Sequence, residues 1–77
     1  MHRTDKFRRL LYMYADKGVY EFSVDSLNRN ICMFCRVTDS TASRYIKEME
    51  QLRLIELVPG KFKFRNIYCK SGDETDV

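Results

Sequence analysis

The chain has 77 residues, 44% of them hydrophobic and 13% aromatic, which suffices for one domain and excludes a polypeptide too polar to fold. No run of about 18 apolar residues could cross a membrane, and the opening MHRTDKFRRLLYMYADK lacks the apolar stretch and small-residue cleavage site of a secretory signal, so a cytoplasmic protein is expected. The net charge of +3 conceals an asymmetry: SGDETDV at the end holds three acids and no base, and without it 14 bases face 8 acids, +6, a sign that attracts polyanions.

The domain is read as residues 1–70, with 71–77 an acidic tail expected to stay unordered. A chain this short buries only about 60% of the surface its unfolded form exposes, so a homodimer that enlarges the core is expected.

A first helix is predicted from Thr4, whose hydroxyl can cap it, and Asp5, which suits the positive helix end. Phe7, Leu10, Leu11 and Tyr14 recur at i, i+3, i+4 and i+7, and Gly18 can end the helix in a left-handed conformation. Tyr12 and Met13 lie off that face, either as plain surface or as part of a subunit contact. Residues 19–22 form a β-prone stretch suited to one edge strand. Ser23 or Asp25 can then cap a second helix running to about Cys35 on the spacing of Val24, Leu27, Ile31 and Phe34, with Arg36 and Val37 turning out of it.

Thr38 opens the most informative segment, TDSTASRYIKEMEQLRLIE. A helix capped by its hydroxyl places Ala42, Tyr45, Ile46, Met49 and Leu52 on an inward stripe. The opposite face carries Ser40, Ser43, Arg44, Lys47 and Gln51 at i, i+3, i+4, i+7 and i+11, so these side chains project together. After Arg53 the period falls to about two. Residues 54–58 predict a strand, Pro59-Gly60 a type II turn needing positive φ at the glycine, and 61–68 a second strand. Alternation there puts Phe62 and Phe64 on one face and Lys61, Lys63 and Arg65 on the other.

The order helix, short strand, helix, tight turn, helix, hairpin resembles the winged helix-turn-helix superfamily of DNA-binding regulators over roughly residues 4–68. Val37-Thr38, Ser40-Thr41-Ala42-Ser43-Arg44, Ile46, Met49 and Leu54-Ile55-Glu56 carry the resemblance. It implies an α+β fold of three helices with a C-terminal two-stranded wing and room for a short third strand. It further implies duplex DNA as partner and a role in transcription regulation. The chain departs from the family pattern in two places: 31–36 reads as a long turn without a small residue, and Arg53 or Leu54 stands where glycine is frequent.

Physical chemistry points the same way. A helix whose exposed face is short at its start and cationic further on can bring its backbone close to bases in the major groove. Ser40, Thr41 and Ser43 are the short residues. Arg44 can grip guanine O6 and N7 with its planar fork, Lys47 is placed to meet a phosphate, and Lys61, Lys63 and Arg65 would run along the backbone or a minor groove. Two features oppose this: Asp39 would face phosphates, and Glu48 lies at i+4 from Arg44, where it could hold it in a surface pair.

Two other function classes stay open. Winged domains can hold other proteins through the same helix and wing. Cys32 and Cys35, spaced Cys-Met-Phe-Cys, could chelate zinc with Cys69 and His2 or act as a redox pair, although helical packing of free thiols as small buried hydrophobes accounts for them better. No enzyme, cofactor or small-molecule effector is expected: the one histidine is near the start, and no glycine-rich phosphate loop occurs.

Overall fold

The computed structural model describes residues 2–69, so Lys70 and the 71–77 tail lie outside the described residues. Helix α1 spans Arg3–Asp16 and buries Phe7, Leu10 and Leu11. Its cap is His2 rather than Thr4: the imidazole Nδ1 accepts from the Thr4 N–H at 3.2 Å, which leaves Thr4 in the first turn. Past Lys17, Gly18 adopts φ +74°, and the Gly18 and Val19 N–H groups return to Ala15 and Tyr14 carbonyls. This closure satisfies the orphan carbonyls of the last turn.

Strand β1 (Glu21–Ser23) leads directly into helix α2 (Val24–Cys35), with Ser23 Oγ accepting from the Ser26 N–H at 3.1 Å. Leu27 and Ile31 are fully buried. The chain from 31 onward is helical through Cys35, so the turn comprises only 36–38 and the long turn expected at 31–36 does not exist. Nothing in 31–35 breaks a helix, and it stops only where Arg36 enters the left-handed region at φ 57°, with the Val37 N–H donating to Cys32 O at 3.2 Å.

Helix α3 (Asp39–Gln51) begins at the Thr38 cap and buries Ala42, Ile46 and Met49. Tyr45 is half-buried, its ring edge-to-face with Phe7 at 5.3 Å. Leu52, expected on the inward stripe, is 46% exposed. The helix has ended by then: Arg53 takes φ 60°, its N–H donates to Glu50 O, the Leu54 N–H donates to Met49 O, and Leu54 fills the core instead. Arg53 thus adopts the backbone conformation of the glycine that the resemblance places near this position.

Strands β2 (Ile55–Leu57) and β3 (Lys63–Asn66) form the hairpin. The three strands make one antiparallel sheet in the order β1-β3-β2, with Phe22 opposite Phe64 and Glu56 opposite Arg65. The architecture is α+β: three helices with a small open sheet whose C-terminal hairpin is joined at one edge by β1. The turn is as expected, with Gly60 at φ +77° and the Lys61 N–H donating to Val58 O at 3.2 Å. The strand after it is not, because the ladder closes only where the Val58 N–H meets Lys63 O at 2.9 Å. Lys61 and Phe62 therefore belong to the loop. Phe64 is buried while Phe62 is 91% exposed, so the paired aromatic face predicted from alternation is absent.

The core joins the inner faces of all three helices to Phe22, Leu54, Ile55 and Phe64. Each large side chain buried there contributes about 1.5–3 kcal/mol. Asn66, 2% exposed, is the buried polar residue among the described ones. Its Nδ2 donates to Leu11 O at 3.1 Å and its Oδ1 accepts from the Cys69 N–H at 2.9 Å, which ties the end of β3 to α1 without stranding a polar group. Among the described residues, no helix is long and apolar enough to cross a membrane.

Candidate nucleic-acid interface

The polar face of α3 emerges as the sequence predicts. Ser40, Ser43, Arg44, Lys47 and Gln51 are all exposed, and Thr41 is half-buried behind them. At the helix start, Thr38 Oγ1 donates to Thr41 Oγ1 at 3.2 Å and lies 3.4 Å from Ser40 Oγ, so short hydroxyls cluster where helix amides are free. Ser43 is held from α2, its Oγ accepting from Asn28 Nδ2 at 3.1 Å.

Of the two acids that opposed a polyanion site, Glu48 is paired elsewhere, whereas Asp39 stays exposed and keeps its charge. Glu48 binds Arg3 of α1, with Arg3 Nε 2.8 Å from Glu48 Oε1, rather than Arg44 as its i+4 spacing suggested. The same Arg3 stacks over the Tyr45 ring at 5.8 Å. Asp39 turns toward α2, accepting from the Cys32 thiol at 3.2 Å. Among the described residues neither Arg44 nor Lys47 forms an ion pair.

The wing divides. Lys61 and Lys63 are exposed and form no ion pair among the described residues. Arg65 instead reaches its cross-strand partner, with Arg65 Nη1 2.9 Å from Glu56 Oε2. At half-exposed positions such a pair is worth about 0.2–1 kcal/mol, so it tempers the Arg65 charge without locking it.

Three residues escape the sequence reading. Asn28 has a partner fifteen positions away, which no local pattern marks. Arg36, already placed by the sequence in the turn out of α2, is exposed immediately ahead of α3, so its cation borders a surface to which the sequence did not assign it. Phe62 is hidden by an alternation that the real ladder does not continue.

The cysteines lie behind this surface, and Cys32 reaches it through Asp39. Cys32, Cys35 and Cys69 are free, half-buried and packed against the core. Burial pushes all three thiols above their ordinary range, and for Cys32 the adjacent Asp39 carboxylate adds to the effect. That is opposite to the lowered pKa of a reactive Cys-X-X-Cys pair. His2 is occupied as the α1 cap, and no group of three or more His, Cys, Asp or Glu side chains converges as metal ligands among the described residues. The ligand set His2, Cys32, Cys35 and Cys69 does not assemble there.

No family model matches this chain, and no curated protein or solved structure is significantly similar to it.

Proposed function

We propose that the chain is a winged helix-turn-helix protein that binds duplex DNA sequence-specifically and regulates transcription by occupying its site. The observation that carries this reading is the outer face of α3: exposed, short at its start, cationic beyond, with Glu48 paired to Arg3 so that Arg44 and Lys47 form no ion pair among the described residues, and with Asp39 oriented toward Cys32 of α2. A turn of residues 36–38 between α2 and α3 suits a helix-turn-helix pair. Ser40, Thr41 and Ser43 let the helix approach the major groove closely, while its free amides and dipole favour a phosphate. Arg44 reads a base, a bidentate grip on guanine being worth about 1–3 kcal/mol of discrimination. Lys47 and Arg36 meet phosphates beside it, and Lys61, Lys63 and, less freely, Arg65 add affinity along the backbone.

A second copy completes the reading. Tyr12 and Met13 of α1 are exposed, and the Tyr12 ring meets Tyr68 edge-to-face at 5.4 Å with the Arg8 guanidinium 6.0 Å over Tyr68. Tyr68 thus extends the α1 face suggested for a subunit contact into one aromatic surface. Two α1 helices crossing antiparallel at Tyr12 would bring Arg8 of each opposite Asp16 of the other, a self-complementary pattern suited to a two-fold dimer.

Fluorescence anisotropy of a labelled duplex against rising salt tests the function. Log affinity should fall linearly with log salt at a slope of about −0.9 per phosphate contacted, three to six contacts being expected per chain. Weak, salt-insensitive binding to every duplex would contradict the reading and favour a protein-interaction module. Sedimentation of the parent and of Tyr12→Glu tests the dimer, the variant being expected to sediment as a monomer.

A further inference from the structure

Phe62 sits in an unusual place for a phenylalanine. It is 91% exposed, the most exposed of the large hydrophobic side chains among the described residues, while Phe64 two positions on is buried. The loop that presents it is pinned: the Lys61 N–H donates to Val58 O at 3.2 Å, the Val58 N–H donates to Lys63 O at 2.9 Å, and buried Val58 and Phe64 anchor both sides. Lys61 and Lys63 flank Phe62 in sequence, both exposed, and neither forms an ion pair among the described residues. A ring left this open to water, next to two exposed lysines in the chain, adds little to the fold. It suits a partner that is anionic outside and apolar within.

We infer that Phe62 is a wedge: when the wing meets a groove, its ring inserts between adjacent base pairs, unstacks that step and bends the duplex, with Lys61 and Lys63 on the bordering phosphates. The inference rests on the DNA-binding reading. Duplex DNA offers the required combination, because stacked bases form an apolar interior behind a charged backbone and inserted phenylalanines kink such steps. An anionic lipid surface shares part of that chemistry. Membrane attachment, however, scales with buried apolar area, and residues 59–62 supply only Pro59 and Phe62. The short, pinned loop also limits the ordering cost of insertion, since the ring is already presented.

The test uses the full chain and a duplex selected from a random pool, carrying 2-aminopurine at successive steps and dyes at both ends. Parent protein should raise 2-aminopurine emission at one step near each wing and shorten the end-to-end distance. Phe62→Ala should abolish both signals and weaken binding about tenfold, in line with the loss of one aromatic–base contact, while retaining the salt slope. Its melting temperature should stay within about 2 °C of the parent's, as expected for an exposed side chain. Phe62→Trp should keep the bend and show indole quenching on binding, which gives an independent readout. If the parent binds no duplex, the DNA reading itself fails. Parent and Phe62→Ala binding equally, with no 2-aminopurine rise and no bend, overturns the wedge alone. Phe62-dependent binding to vesicles of phosphatidylserine and phosphatidylcholine, without a signal from DNA, overturns it in favour of a lipid surface.

Discussion

Helix α3 and the wing loop contain similar ingredients, cations set among apolar side chains, yet only α3 sorts them as its pattern predicts. In α3 thirteen residues follow a good cap, and the helical period assigns each side chain a face before any tertiary contact forms. The strands of the hairpin are three and four residues long, so alternation holds only where the ladder is closed. The closing bond from Val58 to Lys63 starts β3 two residues later than the pattern suggests, and Phe62 ends in water while Phe64 ends in the core. Face assignment is local in a helix and depends on ladder closure in a short hairpin.

That contrast can be broken by substitution. The largest effect is expected at Phe64: Phe64→Ala should destabilise the fold by about 3–5 kcal/mol in denaturant titration, whereas Phe62→Ala should change it by less than about 0.5 kcal/mol. Equal losses would restore the paired aromatic face. On the helix, Arg44→Ala should weaken binding to a selected site by about 1–3 kcal/mol and relax the preference at one base pair. On the wing, Lys63→Ala should weaken all duplexes alike and flatten the salt slope by about one unit, with Arg65→Ala doing less because Glu56 already shares its charge.

Alkali probes the titratable side chains packed against the core. The Cys32, Cys35 and Cys69 thiols are held above their ordinary range chiefly by burial, and burial likewise raises the Tyr14 phenol. The folded state therefore keeps protons that the unfolded chain releases, so stability is complete below the ordinary thiol range near pH 8.5–9 and declines above it. Melting temperatures from pH 7 to 10.5 should fall progressively, and less steeply for a Cys35→Ala variant. A small gain is expected at the left-handed helix ends: Arg36→Gly and Arg53→Gly should each stabilise by about 0.5–1 kcal/mol in denaturant titration, since glycine adopts positive φ without a side-chain penalty.

Much of the fold was legible from local signals. The Ser23 and Thr38 caps, the buried stripes of all three helices, the Pro59-Gly60 turn and an edge strand near 19–22 follow from capping chemistry, periodicity and turn geometry. What stayed hidden depends on contacts distant in sequence. Glu48 was readable only as a partner for Arg44, whereas its carboxylate reaches Arg3 forty-five positions away. His2 replaces Thr4 as a cap because an imidazole can take the role of a hydroxyl, and Leu52 leaves the inward stripe because Arg53 reverses the chain where only a glycine would have announced it. For the candidate site, the exposed row of α3 was legible and the wing was legible only in its charge.

The most direct test is selection of duplexes from a random pool by the parent, by Arg44→Ala and by Lys63→Ala, each checked for an intact fold. A defined motif is expected for the parent, with one or more positions losing their preference in Arg44→Ala and the full motif retained, at lower affinity, in Lys63→Ala. Recovery of the same motif at the same affinity by Arg44→Ala, or of no motif by the parent, would contradict the assignment of α3 as the element that reads DNA.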